Sequence, residues 1–397
     1  MIKRFIFNRL CDEINQPEIN ILLGPRQVGK TTLLHALEEY AQRNGLSTKF
    51  FDLEQPQTLA EFNQSDKDII NKICSAGEVI FIDEFQYIRN ASKILKAIVD
   101  AKTKIKIFCS GSSSLEIHKH LKESLAGRRF LFRIYPLEYA EIKQHLKNSS
   151  LETYLRYGGL PALTKTDSEE RKQQILAELL SSYILKDIKS LIKEENIRAF
   201  NHLVYLLAEH QSSMISVHNL ANQINLSSNT INRYLDILEE TYVNFRIHSF
   251  SNNLGNELKK SCKTYIYDLG IRNAILKDFS RAASRGDKGA LLEGFVFLKL
   301  QAMLTANREI KFWRTKDGDE VDFIFLQDRK PLPIEVKSTL PEAQIPKGLK
   351  RFLARYPRIP RAMVINENIS QEVKQNSQLI QFITLDQFAL KKDIFPS

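Results

Sequence analysis

The chain has 397 residues, 43% hydrophobic and 26% charged, with a formal net charge of +10. That length exceeds one ordinary core and predicts two or three domains, and the composition excludes a disordered or low-complexity chain. The positive balance favours an anionic partner, DNA or RNA foremost, although a nucleotide site also asks for positive charge.

No apolar run approaches the roughly 18–20 residues of a membrane helix, so no membrane partner is expected. The opening MIKRFIFNRLCDEI is broken by Asn8 and Arg9, which argues against a cleavable signal and for a cytoplasmic setting. Cys11, Cys74, Cys109 and Cys262 lack CxxC spacing and a nearby His cluster. They read as small apolar thiols in a reducing compartment.

The first segment, 1–145, alternates strand and helix signals. Apolar runs at Ile19–Leu23, Thr48–Leu53, Val79–Ile82, Ile105–Cys109 and Phe130–Ile134 predict strands. The stretch Thr31–Arg43 predicts a helix with Leu33, Leu34, Leu37, Tyr40 and Ala41 on one face, ended by Gly45. Such alternation predicts a parallel sheet covered on both faces.

The string GPRQVGKTT fits G-x-x-x-x-G-K-[ST] and covers Gly24, Pro25, Arg26, Gln27, Val28, Gly29, Lys30, Thr31 and Thr32. Gly24 and Gly29 are expected to let the backbone curl so that its N–H groups face phosphate oxygens. Lys30 is expected at the β- and γ-phosphates and the Thr31 hydroxyl on magnesium. Arg26 reads as a packing or loop-shaping residue. VIFIDEFQ ends a buried strand in two acids: Asp83 to hold magnesium, Glu84 to polarise the attacking water. No guanine-specificity motif such as N-K-x-D appears in the right place, so the expected nucleotide is ATP.

TKFFDL lies between these motifs, and with it the sheet resembles the additional-strand class of P-loop ATPases, which carry a catalytic glutamate. Ser110, ending IKIFC, resembles the sensor position that watches the γ-phosphate; a plain Ser/Gly loop is the alternative. Arg128 and Arg129 could supply an arginine finger to a neighbouring subunit, or form a surface basic pair.

The second segment, 146–260, reads as helical, with a Gly-Gly-Leu-Pro break at 158–161 and a long helical pattern from Glu169 to about Lys193. Ser216–Ile224, a turn, Ser227–Glu240 and the strand-like Val243–His248 follow the order of a winged helix-turn-helix. Ser227 or Ser228 suits an N-cap, and Asn229, Thr230 and Arg233 could meet bases or phosphates. Asp236, Glu239 and Glu240 on the same helix would repel a phosphate backbone; a packing or lid module is the alternative.

The third segment, 261–397, predicts a helix (Ala290–Met303), strands Ile310–Arg314, Glu320–Leu326 and Pro333–Lys337, a helix (Gln344–Arg355) and a strand (Arg361–Ile365). Period two puts Glu320, Asp322 and Ile324 on one strand face, and Glu335 with Lys337 on another. Glu293 falls on a helix face shared with Val296, Phe297 and Leu300. A helix glutamate, a strand aspartate and an E-x-K strand in the order αβββαβ resemble the PD-(D/E)xK nuclease core. The resemblance implies that Glu293, Asp322 and Glu335 hold one or two magnesium ions while Lys337 orients or activates a water.

Over nearly its full length the chain resembles the bacterial and archaeal AAA+-like ATPases with an uncharacterised C-terminal nuclease-fold domain. GPRQVGKTTL, FIDEFQ, CSGSSS, LAGR, YGGLPAL, GDEVDFIF and IEVKS carry the likeness. It implies an oligomerising ATPase. Three readings follow: an ATPase acting on nucleic acid, a nucleotide-gated switch whose nuclease fold only binds a protein, or a metal-dependent nuclease regulated by the ATPase.

Overall fold

The computed structural model describes residues 2–101, 103–112, 125–182, 197–251 and 262–395. They form two compact units, residues 1–137 with 240–243, and residues 138–239 with 244–397. Apart from residues 240–243, the segments expected over 146–260 and 261–397 fall in the second unit.

The first unit is built on β1 (Ile19–Gly24), β2 (Thr48–Asp52), β3 (Val79–Asp83), β4 (Lys106–Ser112) and β5 (Arg129–Arg133). All pairs are parallel, in the order β2-β3-β4-β1-β5. β1 and β3 are buried along their whole length, which is why both read as unbroken apolar runs. β4, rather than β2, separates the strand feeding the glycine loop from the strand bearing the acids; β2 takes the sheet edge. Phe50, Phe81 and Phe108 lie in register on β2, β3 and β4 and stack at 6.2 and 5.5 Å.

The helix Lys30–Arg43 buries Leu33, Leu34, Leu37 and Ala41. Tyr40 departs from the expected face: it is 40% exposed, its ring edge-on to Phe7 at 6.3 Å. Gly45, at φ +81°, donates to Gln42 O while Leu46 N–H reaches Ala41 O, closing the helix with a left-handed residue.

In the second unit, helices Ile197–Glu209, Val217–Ile224 and Ser228–Glu240 combine with β6 (Met214–Ile215), β7 (Asn244–Ile247) and β8 (Cys262–Ile266). The three strands are antiparallel in the order β6-β8-β7. Since β8 lies beyond residue 260, this sheet joins the expected second and third segments. Of the long helical pattern, Glu169–Leu179 is helical, and residues 183–193 lie outside the described residues.

YGGLPAL forms a joint. The helix Leu151–Tyr157 stops at Gly158, φ +76°. The buried Asp268 carboxylate sits against this glycine, accepting Gly159 N–H at 2.8 Å and Ile271 N–H at 3.0 Å, the latter capping Leu269–Leu276. A Cβ on Gly158 would strike that carboxylate, and one on Gly270 the Tyr157 carbonyl. Burial pushes Asp268 up to about 6, against the pull of its backbone donors.

The C-terminal sheet contains β9 (Arg308–Arg314), β10 (Glu320–Gln327), β11 (Lys330–Val336), β12 (Arg361–Asn366), β13 (Gln371–Gln375) and β14 (Gln378–Thr384). Its order is β13-β14-β12-β11-β10-β9. β9, β10 and β11 pair antiparallel, β11, β12 and β14 parallel, and β13 antiparallel to β14. A register shift between Val321 and Ile324 bulges β10. It corrects the period-two expectation for Ile324, which packs with Val321, Leu349 and Phe352 in the apolar core. Among the described residues no helix is long and apolar enough to cross a membrane.

Candidate functional site

The glycine loop leaves β1 at its C-terminal end, the edge where parallel sheets bind ligands. Gly29, at φ +93°, is the N-cap of Lys30–Arg43, so the loop delivers the chain to a helix N-terminus. Gln27 is also left-handed, at φ +60°. Gly24 serves differently from the expected curl. Its φ is not positive, and a Cβ there would collide with the Ile134 carbonyl oxygen just past β5. Arg26 is exposed, whereas Val28 is fully buried and anchors the loop. Thr31 and Thr32 lie exposed at the start of the helix.

Lys30 is 5% exposed, and its Nζ donates to Gly24 O at 3.1 Å and Pro25 O at 2.9 Å. Burial lowers its pKa, opposed by Glu84 and Asp83. Those two acids end β3. Asp83 is buried and accepts a hydrogen bond from Ser110 Oγ, while the same hydroxyl accepts Glu84 N–H at 3.3 Å. Ser110 is therefore tied to both carboxylate residues, because β4 lies beside β3. Glu84 is left-handed, at φ +52°, which turns its side chain away from the strand direction of Asp83. Residues 113 and 114 of CSGSSS lie outside the described residues.

Three residues not anticipated from the sequence complete this edge. Gln86 Nε2 donates to Glu84 Oε2. Arg4 bridges Val28 O at 3.0 Å and Tyr135 O at 2.8 Å, pinning the loop to the chain beyond β5. Glu54, just past β2, has its pKa raised by burial and by Glu84. The E-Q after TKFFDL was the available signal for Glu54; nothing local singles out Arg4.

Arg128 is elsewhere. Its carbonyl accepts Ile19 N–H at 3.1 Å, at the N-terminal edge of the sheet, and its Nε meets Asp100 Oδ1 at 2.5 Å. Five strand residues, roughly 16 Å, separate it from the loop of its own chain.

In the second unit the structure brings Glu293, Asp322, Glu335 and Lys337 together. Lys337 Nζ meets Glu335 Oε1 at 2.7 Å, and Asp322 Oδ2 accepts Val336 N–H at 2.8 Å. Burial, then Asp322, pushes Glu293 up to about 7 and Glu335 up to about 8. Sequence reasoning missed Lys263 on β8, whose Nζ lies 2.9 Å from Glu293 Oε1, 2.5 Å from Glu320 Oε1 and 3.6 Å from Asp322 Oδ1. Glu293 is therefore paired.

On the helix Ser228–Glu240, Asn229 and Arg233 are exposed, and Thr230 is taken up in the cap, its hydroxyl 2.9 Å from Ser227 Oγ. Arg246 binds Asp236 at 2.7 Å and also binds Glu239. Two of the acids expected to repel phosphate are thereby neutralised within the fold.

Residues 16–143 match the model of a family described as an AAA domain, and the parallel sheet with its glycine loop is P-loop NTPase-like. Residues 148–282 match a domain of unknown function, DUF8612, and residues 288–388 another, DUF4143. An uncharacterized protein of Haemophilus influenzae is 27% identical over 347 residues, covering 82% of this chain and 83% of that protein. An uncharacterized protein of Methanocaldococcus jannaschii is 26% identical over 364 residues, covering 84% and 78%. Among solved structures, AMPPCP-bound DnaA from Aquifex aeolicus matches 59% of this chain and 86% of its own, at 15% identity and a TM-score of 0.32.

Proposed function

We propose that the first unit binds and hydrolyses ATP with magnesium, and that its nucleotide state is coupled to a nucleic-acid-directed second unit. The supporting observation is Lys30. A nearly buried ammonium is held by two loop carbonyls, at a helix N-terminus and electrostatically coupled to Asp83 and Glu84. Phosphate oxygens can replace those carbonyls at a gain in charge complementarity.

The donor set fits a hard cation: a buried carboxylate, Asp83, and an exposed hydroxyl, Thr31. These two would hold the magnesium ion, which neutralises charge on the phosphates when bound. Loop N–H groups and Lys30 bind the triphosphate. Glu84, held by Gln86, takes the proton of the attacking water, and Ser110 fixes both acids. Arg128 is remote from the loop of its own chain and paired with Asp100, so an arginine-finger role requires a neighbouring subunit of a homo-oligomer.

The winged-helix reading of β6, β7, β8 and their helices supports a DNA- or RNA-facing role, with Asn229 and Arg233 outward and +10 net charge behind it. ATP turnover of the full chain, with and without magnesium, DNA and RNA, tests this. Stimulation by nucleic acid that is lost in Arg233→Ala supports the coupling. Turnover indifferent to nucleic acid refutes the coupling and leaves the ATPase to be judged by Lys30→Ala.

A further inference from the structure

The C-terminal carboxylates carry the residue types of a metal centre, yet their arrangement is closed around a side chain. We infer that the Lys263 ammonium stands where a divalent cation would stand, so that this cluster is an internal ionic joint and neither a metal site nor a nuclease site. The inference is independent of the nucleotide reading.

Lys263 is 1% exposed. Its Nζ is shared by Glu293, Glu320 and Asp322, and the Phe312 ring face lies 5.7 Å away. The local sequence explains the placement. Alternation along β8 puts Lys263 and Tyr265 on one face, directed at the helix Lys288–Ala302. Tyr265 stacks on Phe297 at 4.2 Å and donates its hydroxyl to Glu293 Oε1 at 2.6 Å. One face of the small sheet's central strand thus meets a carboxylate of the helix and two of the large sheet.

The remaining carboxylate oxygens are mostly engaged. Glu320 Oε2 accepts from Arg314 at 2.9 Å, Asp322 Oδ2 from Val336 N–H at 2.8 Å, and Glu335 Oε1 from Lys337 at 2.7 Å. Glu335 Oε2 is buried without a hydrogen-bond partner among the described residues. Magnesium is usually held through one or two carboxylates beside waters at about 2.0–2.1 Å; here the oxygens of Asp322 and Glu335 already face Lys263, Val336 N–H and Lys337. Among the described residues no three His, Cys, Asp or Glu side chains are grouped to hold a metal ion. Four carboxylates already face three cations, Lys263, Lys337 and Arg314, which leaves little net charge to draw a divalent ion from water.

The test is Mn2+ titration of the full chain without nucleotide, followed by electron paramagnetic resonance, in a background carrying Asp83→Asn to silence the first unit. The expected result is no saturable Mn2+ site removed by Asp322→Asn. Lys263→Met should gain one, binding at least about tenfold tighter, which adding Asp322→Asn abolishes. A wild-type C-terminal site lost with Asp322→Asn, or metal-dependent DNA cleavage lost with it, overturns the inference. So does a folded Lys263→Met chain that gains no site. If Lys263→Met fails to fold, the two lysine-containing titrations decide: identical curves support the joint, and an Asp322-dependent site refutes it.

Discussion

Lys30 and Lys263 are both buried and both face acidic residues, and their immediate partners differ in charge. Lys30 is held by the main-chain carbonyls of Gly24 and Pro25, Lys263 by three carboxylates. Burial lowers the pKa of Lys30; at Lys263 burial acts the same way, but Glu293, Asp322 and Glu320 overcome it and the net shift is upward. A carbonyl pair offers partial charge that a phosphate can displace, whereas three carboxylates satisfy an ammonium fully. Burial of a lysine therefore does not separate a binding group from a structural one. The charge of its partners does.

The comparison can be broken most forcefully at Glu84. Glu84→Gln should retain ATP binding and lower turnover about 10²–10³-fold, because the metal carboxylate survives while the water loses its proton acceptor. Steady-state turnover set beside a binding isotherm checks it; unchanged turnover assigns the base elsewhere. At the other lysine, Lys263→Met should cost about 3–5 kcal/mol of stability by leaving buried carboxylates without their cation. Denaturant midpoints read this directly, and a loss below about 1 kcal/mol would show the ion pairs to be incidental.

A smaller effect is expected at Ser110. Its alanine variant should lower turnover about tenfold, since the hydroxyl aligns Asp83 and Glu84 without touching the water itself. An equal effect on binding and turnover would make it a structural residue only. Smallest is a pH effect at Glu335, whose pKa rises from the ordinary carboxylate range to about 8. The fold favours its protonated form, so its contribution is full at low pH and is lost as pH rises through about 8. Relative to Glu335→Gln, wild-type stability should fall between about pH 5 and 8 and level off above. Parallel pH profiles of the two would contradict the assignment.

The central strands of the first unit were legible because strands buried on both faces carry apolar runs, as in INILL and VIFID, and the partly exposed edge strands β2 and β5 because TKFFD and RFLFR are rich in phenylalanine. The loop and the acids were legible because their chemistry is contiguous. Gly24's steric reason was not, since it depends on Ile134, 110 residues downstream. The hairpin β13–β14 escaped notice because QEVKQ is mostly exposed and polar. Lys263 escaped because CKTYI shows no carboxylate nearby; its partners lie 30 to 59 positions away in the chain. Ile324 was misplaced because a bulge shifts the pleat by one residue, which period counting does not detect.

Calorimetric titration of a non-hydrolysable ATP analogue with magnesium, comparing wild type with Lys30→Ala, bears most directly on the first lysine. Saturable binding by wild type, weakened at least about tenfold by the substitution, is the expected result. No heat from wild type, or identical isotherms for the two proteins, would contradict it.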